Sequence, residues 1–391
     1  MDVKERVAAL QPELVRLRRH FHEKPERSWE EFQTQKAIES YLDALGIPYV
    51  ESCKSGVIAT LKGPHASDRV IGIRADIDAL PITELGDPAY KSQNPGTMHA
   101  CGHDTHITIL LGAAKVLAAM KDQLTVTVRF LFQPAEEEIA NSGAAYMKEE
   151  LLVKECDRLI ALHIWSKIPA GWASLRYGPV MSAADTFDVT VEGRGGHGAL
   201  PHQTVDPIVA GAEFVTALQT VVSREVNPLE PAVLSITQFQ GGTTSNVIPG
   251  EAHLAGTART FSKELRDAYP GILERVAQGV STATRAKLRT VYHFGPPPMI
   301  NDKACVDTGR KACAKVFAPD KLVDWELQMG GEDFAKYSNP KCLLLLGGGF
   351  ADEDRRYPQH SPYFDIDEKA LGLGVEYFVQ YVLEWEKELK K

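Results

Sequence analysis

No stretch of this 391-residue chain approaches the roughly 18 consecutive apolar residues of a membrane span. The opening M-D-V-K-E-R-V-A-A-L is charged where a signal peptide carries an apolar core. The sequence is therefore expected to act in the cytoplasm and away from membranes. Basic residues are in deficit, 43 Lys and Arg against 52 Asp and Glu for a net charge of -9. Phosphate-backbone binding relies on clustered cations, so no nucleic-acid partner is expected. The six cysteines, at 53, 101, 156, 305, 313 and 342, show no paired spacing, which argues against a disulfide framework. Internal repeats and low-complexity segments are missing as well. What is present is an ordinary globular composition, 44% hydrophobic and 24% charged, in a chain long enough for two or three domains.

Residues 28 to 46 predict a helix. Ser28 and Glu31 have the spacing of a capping box, and Gly46 suits a helix C-terminus. Strand-like runs follow at G-V-I-A-T-L (56 to 61), R-V-I-G-I-R (69 to 74), L-T-V-T-V-R-F-L-F (124 to 132) and D-R-L-I-A-L-H-I-W (157 to 165), with helical stretches after His106 and Ser142. Strands alternating with helices predict a mainly parallel sheet covered on both faces. Ligands of such sheets gather beyond the carboxyl ends of the strands. Asp76 and Asp78, then Glu136, Glu137 and Glu138, and then His163 fall at those ends.

The middle of the chain has a different rhythm. T-F-D-V-T-V-E-G (186 to 193) alternates like a half-exposed strand, a helix is expected over 206 to 225, and strands over 232 to 239 and 252 to 260. A further helix over 263 to 284 and a strand over 287 to 294 complete the order βαββαβ of a ferredoxin-like unit. Pro296, Pro297 and Pro298 form a stiff break, after which C-L-L-L-L-L-G-G-G could rejoin the first sheet. The expected architecture is one discontinuous α/β/α domain, residues 1–182 and 295–391, carrying an inserted domain over 183–294.

The densest chemistry lies in T-M-H-A-C-G-H-D-T-H, which puts His99, Cys101, His103, Asp104 and His106 just before an apolar helix. For His99 and His106, a polar helix cap is the simpler expectation. Cys101 and His103 together suit a borderline metal such as Zn²⁺. E-E-E would ordinarily be a solvated charge run, and a lone histidine such as His163 is more often a core residue than a ligand. Four separate elements nevertheless bring ligand-type side chains to one rim of one sheet, and packing alone does not account for that.

Taken in order, M-H-A-C-G-H-D-x-H, F-Q-P-A-E-E, A-L-H, G-R-G-G-H-G-A-L-P-H, S-N-V-I-P, G-T-A-R-T, G-G-E-D-F and H-S-P-Y-F resemble the aminoacylase and carboxypeptidase-like metallopeptidase family, in its amidohydrolase branch. The resemblance spans nearly the whole chain. It implies a zinc-peptidase-type α/β domain with an inserted lid or dimerisation domain, and hydrolysis of N-acyl, foremost N-acetyl, amino acids. It assigns metal ligation to Cys101, His103, Glu137, His163 and His360, the general base to Glu136, an oxyanion donor to His197, and the substrate carboxylate to Asn246 and Arg259. Gly330, Gly331, Glu332 and Asp333 match a loop that lines the acyl side. Five ligands exceed the three of one catalytic zinc and fit two divalent ions per chain, Zn²⁺ or Mn²⁺ with Ni²⁺ or Co²⁺ as alternatives. Adjacent residues of an extended segment point to opposite sides, so one of Glu136 and Glu137 can bind metal while the other meets the water. That geometry by itself leaves open which does which. Asp76, Asp78 and Asp104 are expected to orient imidazoles. A homodimer or dimer of dimers through the inserted domain, with His197 acting on the neighbouring subunit's site, is the implied assembly. A dipeptidase or aminopeptidase-like activity and a catalytically silent ligand-binding protein are the rival readings. One departure stands out: where many relatives place glycines after P-A-E-E, this chain runs E-I-A-N-S-G.

Overall fold

The computed structural model describes residues 2–390. They form two compact units. The first runs to Val180 and includes Ile300–Glu326 and the chain from Lys336 onward; the second comprises Met181–Met299 and Leu327–Ala335.

The first unit is built on a seven-stranded sheet. Across it the strands are Tyr49–Ser52, Gly56–Lys62, Thr127–Gln133, Val70–Asp76, Arg158–Pro169, Lys341–Gly349 and Ala173–Ser174. The four central strands pair in parallel, and the outer pairings are antiparallel. The sheet is thus mixed: the expected parallel character holds at its centre, and the edges depart from it. Tyr49–Ser52 and Gly56–Lys62 form a hairpin, which needs no crossover helix and so adds an antiparallel edge. Every residue of Val70–Asp76 and Thr127–Gln133 is buried, as expected of strands covered on both faces. The helices Val3–Glu23, His103–Ala118 and Ala370–Leu389 meet at Gly112, where a Cβ would lie 2.7 Å from Leu14 and 2.8 Å from Val375. That close approach sets the depth at which His103–Ala118 sits in the core.

The helix expected from residue 28 begins later, at Phe32, and ends with Gly46 in the left-handed conformation, φ 65°. No capping box forms. Ser28 Oγ donates instead to Asp78, and the Glu31 carboxylate accepts from Ser55 Oγ and the Ala135 amide. The free amides of Gln33 and Thr34 are taken by Glu26. Buried partners far along the chain outcompete the local cap, since an unpaired buried carboxylate costs more than an exposed helix end.

In the second unit the strands lie in the spatial order Ala232–Gly241, Glu251–Thr260, Asp185–Glu192, Lys287–His293, all antiparallel. In chain order this is second, third, first, fourth, the arrangement of a ferredoxin-like βαββαβ unit. The helices Pro207–Thr220 and Lys263–Thr284 pack on the sheet through Phe187, Val189, Phe214, Leu218, Tyr269 and Leu273. Val221–Glu225 continues the first of them as a π-turn. Leu327–Ala335 joins this unit, with Ser182 N donating to the carbonyls of Gln328 and Gly330.

Candidate active site

Two strands and three loops of the first unit converge on a cluster of donor atoms. Val70–Asp76 delivers Asp76 and then Asp78 at its carboxyl end. Residues 99 to 103 approach the helix His103–Ala118 through Gly102, whose φ of 93° and lack of Cβ admit Ile164; an added Cβ would lie 2.3 Å from Ile164 Cγ2. Thr127–Gln133 leads through Pro134 and Ala135 to Glu136 and Glu137, while Arg158–Pro169 carries His163. His360, at φ 66°, is tied by its amide to the Ala100 carbonyl at 2.8 Å.

Cys101 Sγ lies 3.5 Å from His163 Nε2. His103 Nε2 is 3.9 Å from Glu137 Oε1 and 4.0 Å from Glu136 Oε2, and His360 Nε2 is 3.4 Å from Glu137 Oε1. The triples Cys101–His103–His163, Cys101–Glu137–His360 and His103–Glu136–Glu137 each bring their donor atoms within 4.8 Å of one another. All five expected ligands and the expected base therefore share one site. Glu138 turns outward to solvent, so the E-E-E run divides between site and surface.

Backbone acceptors fix the ring tautomers. His103 Nδ1 donates to the Asp78 carbonyl at 2.9 Å, and His163 Nδ1 donates to the Ile164 carbonyl at 2.7 Å. Each ring then turns its Nε2 lone pair toward the cluster. His103 Nε2 and Glu137 Oε1 are buried and have no hydrogen-bond partner. Orphaned acceptors of this kind are costly, and a divalent cation between them would compensate both. The donor set of one thiolate, three imidazoles and a carboxylate fits such an ion. Without one, burial and the Glu137 carboxylate push the Cys101 thiol well up. Burial and the neighbouring His106 hold His163 well below its ordinary value.

The three aspartates each hold an imidazole. Asp78 also accepts from the Glu137 amide at 3.0 Å and Ser28 Oγ at 2.7 Å. Asp76 accepts from His106 Nδ1 at 2.5 Å and pairs with Arg74. Asp104 accepts from His22 and Arg18, both at 2.8 Å, rather than contacting a ligand ring. His106 is not the exposed helix cap expected of it: its Nε2 accepts from the Ile164 amide at 2.8 Å, linking two strands inside the core. His99 is no cap either. It is fully buried with both ring nitrogens unpartnered, and burial pushes it down to about 4, so it stays neutral. Sequence reasoning missed Arg18 and His22, which no local pattern marks, and took Ser28 and Glu31 for a helix cap where the structure gives them Asp78, Ser55 and Ala135 as partners. Within E-I-A-N-S-G, the stretch expected to depart from the family pattern, Ile139–Asn141 is a 3-10 turn gripped by Trp29 Nε1 on the Asn141 carbonyl and by Tyr146 Oη on its side chain.

The residues expected on the substrate side, His197, Asn246 and Arg259, lie in the second unit. His197 and Val247 are register partners in a short antiparallel pair, and Gly198 N donates to the Asn246 carbonyl, so His197 and Asn246 sit on adjoining segments. His197 Nδ1 accepts from the Ala199 amide at 3.0 Å, leaving Nε2–H of the neutral ring free to donate. Half-buried Arg259 on Glu251–Thr260 reaches only the carbonyls of Asp185 and Ala258. Its natural neighbour, the Asp185 carboxylate, is already occupied by Arg266, Tyr292 Oη and Gly295 N. Among the described residues, no carboxylate pairs with Arg259.

A mixed α/β sheet with a thiol, imidazoles and carboxylates gathered into one cluster defines a metal-binding hydrolase. Residues 72–384 match the model of the peptidase family M20/M25/M40, and the chain belongs to that family. It is 41% identical over 376 residues to an N-acetyl-L-cysteine deacetylase of Bacillus subtilis, covering 95% of this chain and 88% of that one. It is 42% identical over 301 residues to an N-acyl-L-amino acid amidohydrolase of Geobacillus stearothermophilus, covering 77% and 81%. A solved Bacillus subtilis structure described as a dinuclear metal-binding peptidase of the M20 family superposes with a TM-score of 0.84 at 35% identity, over 96% of this chain and 98% of that one.

Proposed function

We propose that this chain hydrolyses the amide bond of N-acyl, foremost N-acetyl, amino acids to a carboxylate and a free amino acid. The observation that carries the proposal is the orphaned pair His103 Nε2 and Glu137 Oε1 facing Glu136 inside the five-residue donor cluster. The names of the two amidohydrolase relatives point to the same substrate class. Cys101, His103, Glu137, His163 and His360 would hold two divalent ions, Zn²⁺ or Mn²⁺ foremost. Bound there, the ions would supply Lewis acidity to the scissile carbonyl and ease deprotonation of a water. Glu136, at the same rim but left with the proton chemistry, takes the water's proton and returns it to the departing amine.

The inserted residues 183–294 serve in this reading as lid and dimerisation domain, between outer segments 1–182 and 295–391. His197 offers its Nε2–H to the carbonyl oxygen as negative charge develops on it. Arg259, half-buried and without a counter-ion, supplies a bidentate fork for the substrate's α-carboxylate, with Asn246 beside it. The working form is a cytoplasmic homodimer in which His197 completes the partner's site.

A substrate panel tests the proposal. Acetyl, benzoyl and indole-acetyl amino acids and dipeptides are assayed with Zn²⁺, Mn²⁺, Co²⁺ or Ni²⁺ added to metal-stripped protein. Turnover of acyl amino acids above dipeptides, dependent on metal, is expected. Faster cleavage of dipeptides would favour the peptidase reading, and full turnover in chelator would overturn both. Mixing inactive His197→Ala with inactive Glu136→Gln protein should restore some activity if sites are shared between subunits.

A further inference from the structure

Ala135, the residue before the base, has φ 51°, a left-handed conformation that alanine adopts only at a cost in free energy. Relaxation to a negative φ would swing the two carboxylates that follow, because their directions are set by the backbone just ahead of them. Something must hold Ala135 in place. Its carbonyl accepts from Gly143 N at 3.0 Å, and its amide donates at 2.8 Å to Oε1 of Glu31. Glu31 is fully buried and is fixed in turn by Ser55 Oγ on Oε2 at 2.6 Å. Burial and the Asp78 charge push the Glu31 carboxyl up to about 7, and Oε1 keeps a lone pair for the Ala135 amide whether or not the carboxyl is ionised. Glu137 is pinned separately, its amide donating to Asp78. Glu31 itself touches none of the donor atoms of the cluster, and it comes from an element more than a hundred residues earlier in the chain.

We propose that Glu31 is a positioning residue for hydrolysis: its carboxylate locks Ala135 in the left-handed conformation that aims Glu136 at the reacting water. The proposal rests on Glu136 being the general base. It predicts a defect in turnover with substrate binding spared, and a dependence on the residue at 135 that a merely structural role would lack. Glycine enters the left-handed region freely, so it removes the force that pulls the loop out of place once Glu31 is gone.

The test is a cycle of Glu31→Ala, Ala135→Gly and the double variant, with Glu31→Gln as the conservative control. Each is assayed at saturating Mn²⁺ on one acetyl amino acid, with bound metal measured alongside. Glu31→Ala should lower kcat roughly 10- to 100-fold with KM within about threefold. Glu31→Gln, whose amide oxygen still accepts from Ala135 N, should keep most of kcat. The double variant should regain about five- to tenfold over Glu31→Ala, as expected if the lost contact chiefly offsets backbone strain. If Glu31→Ala does not fold, Glu31→Asp keeps the charge but shortens the reach, and the same recovery with Ala135→Gly applies. Unchanged kcat in Glu31→Ala, or no recovery in the double variant, overturns the proposal. Glu136→Gln is measured in parallel: wild-type turnover there removes the base and this inference with it. A dead Glu136→Gln beside an uncoupled Glu31 cycle overturns the positioning role alone.

Discussion

Glu136 and Glu137 are neighbours in sequence and both half-buried, yet the structure gives them different surroundings, and a pair of isosteric variants separates them. Glu137 Oε1 is unpartnered between His103 and His360. A metal that binds only the folded protein stabilises it by about 2.7 kcal/mol at one hundred times its dissociation constant. Unfolding entropy near 2.1 cal/mol/K per residue, over the roughly 260 residues of the first unit, converts this to a rise in Tm of about 5 °C. Glu137→Gln removes one charged candidate ligand. If that lowers affinity ~100-fold, a loss in the range of one charged contact, the same metal concentration gives about 0.4 kcal/mol and a shift below ~1 °C. Without metal, Glu137→Gln should be no less stable than wild type, because it removes a buried, unpaired carboxylate oxygen. Glu136→Gln should keep the full shift while losing roughly 10²–10⁴ in kcat. Differential scanning fluorimetry with and without Mn²⁺, paired with turnover, reads both quantities. An equal loss of the metal-induced shift in the two variants, or a loss confined to Glu136→Gln, would refute the assignment.

Asp104→Ala strips a buried carboxylate from Arg18 and His22, so urea unfolding should show a loss of about 3–5 kcal/mol; a change under 1 kcal/mol would mean that Asp365 and Glu368 suffice for Arg18. Burial and Arg18 oppose protonation of His22, but Asp104 and Glu84 outweigh them and its pKa is raised. A raised histidine gives stability that is complete below its unfolded value near 6.5 and is lost as pH climbs through the folded one. The stability advantage of wild type over His22→Gln should therefore shrink above about pH 6.5, and a gap that widens there contradicts the pairing. Gly102→Ala should cost at least about 2 kcal/mol in Tm-derived stability, combining a clash with Ile164 and a strained φ of 93°. Arg259→Ala should lower kcat/KM on an acetyl amino acid roughly 10- to 100-fold and leave its methyl ester nearly unchanged; equal losses on both would argue against a carboxylate clamp.

Much of this was legible from residue order alone. The inserted unit's strands and helices were readable because its sheet faces solvent or packs on one side only, so alternation survives in T-F-D-V-T-V-E-G and the spatial order follows from βαββαβ. Most of the candidate ligands were visible because they fall where apolar runs stop; His163, expected at a strand end, instead lies midway along Arg158–Pro169. The edges of the larger sheet were less legible: a hairpin strand such as Tyr49–Ser52 is short, polar and exposed, and carries no period of its own. His99 and His106 were misread as caps because a polar residue beside a helix start has the same sequence signature whether it meets solvent or the core.

By itself, then, the sequence determined the periodicities, the fold class, the family and the kinds of donor atoms available, since these follow from local spacing and residue chemistry. Only the tertiary structure decided which atoms are free to act. His103 and His163 present Nε2 because backbone carbonyls claim Nδ1. The Glu31 side chain leaves the helix cap for Ala135 because the folded sheet brings residue 135 beside it, and Asp104 serves Arg18 and His22 because the first helix packs against the helix that carries it. Apart from that of His163, whose acceptor is its chain neighbour Ile164, these hydrogen bonds join residues 25 to 104 positions apart. They exist only after the core has excluded water and left each buried polar atom to find its partner there.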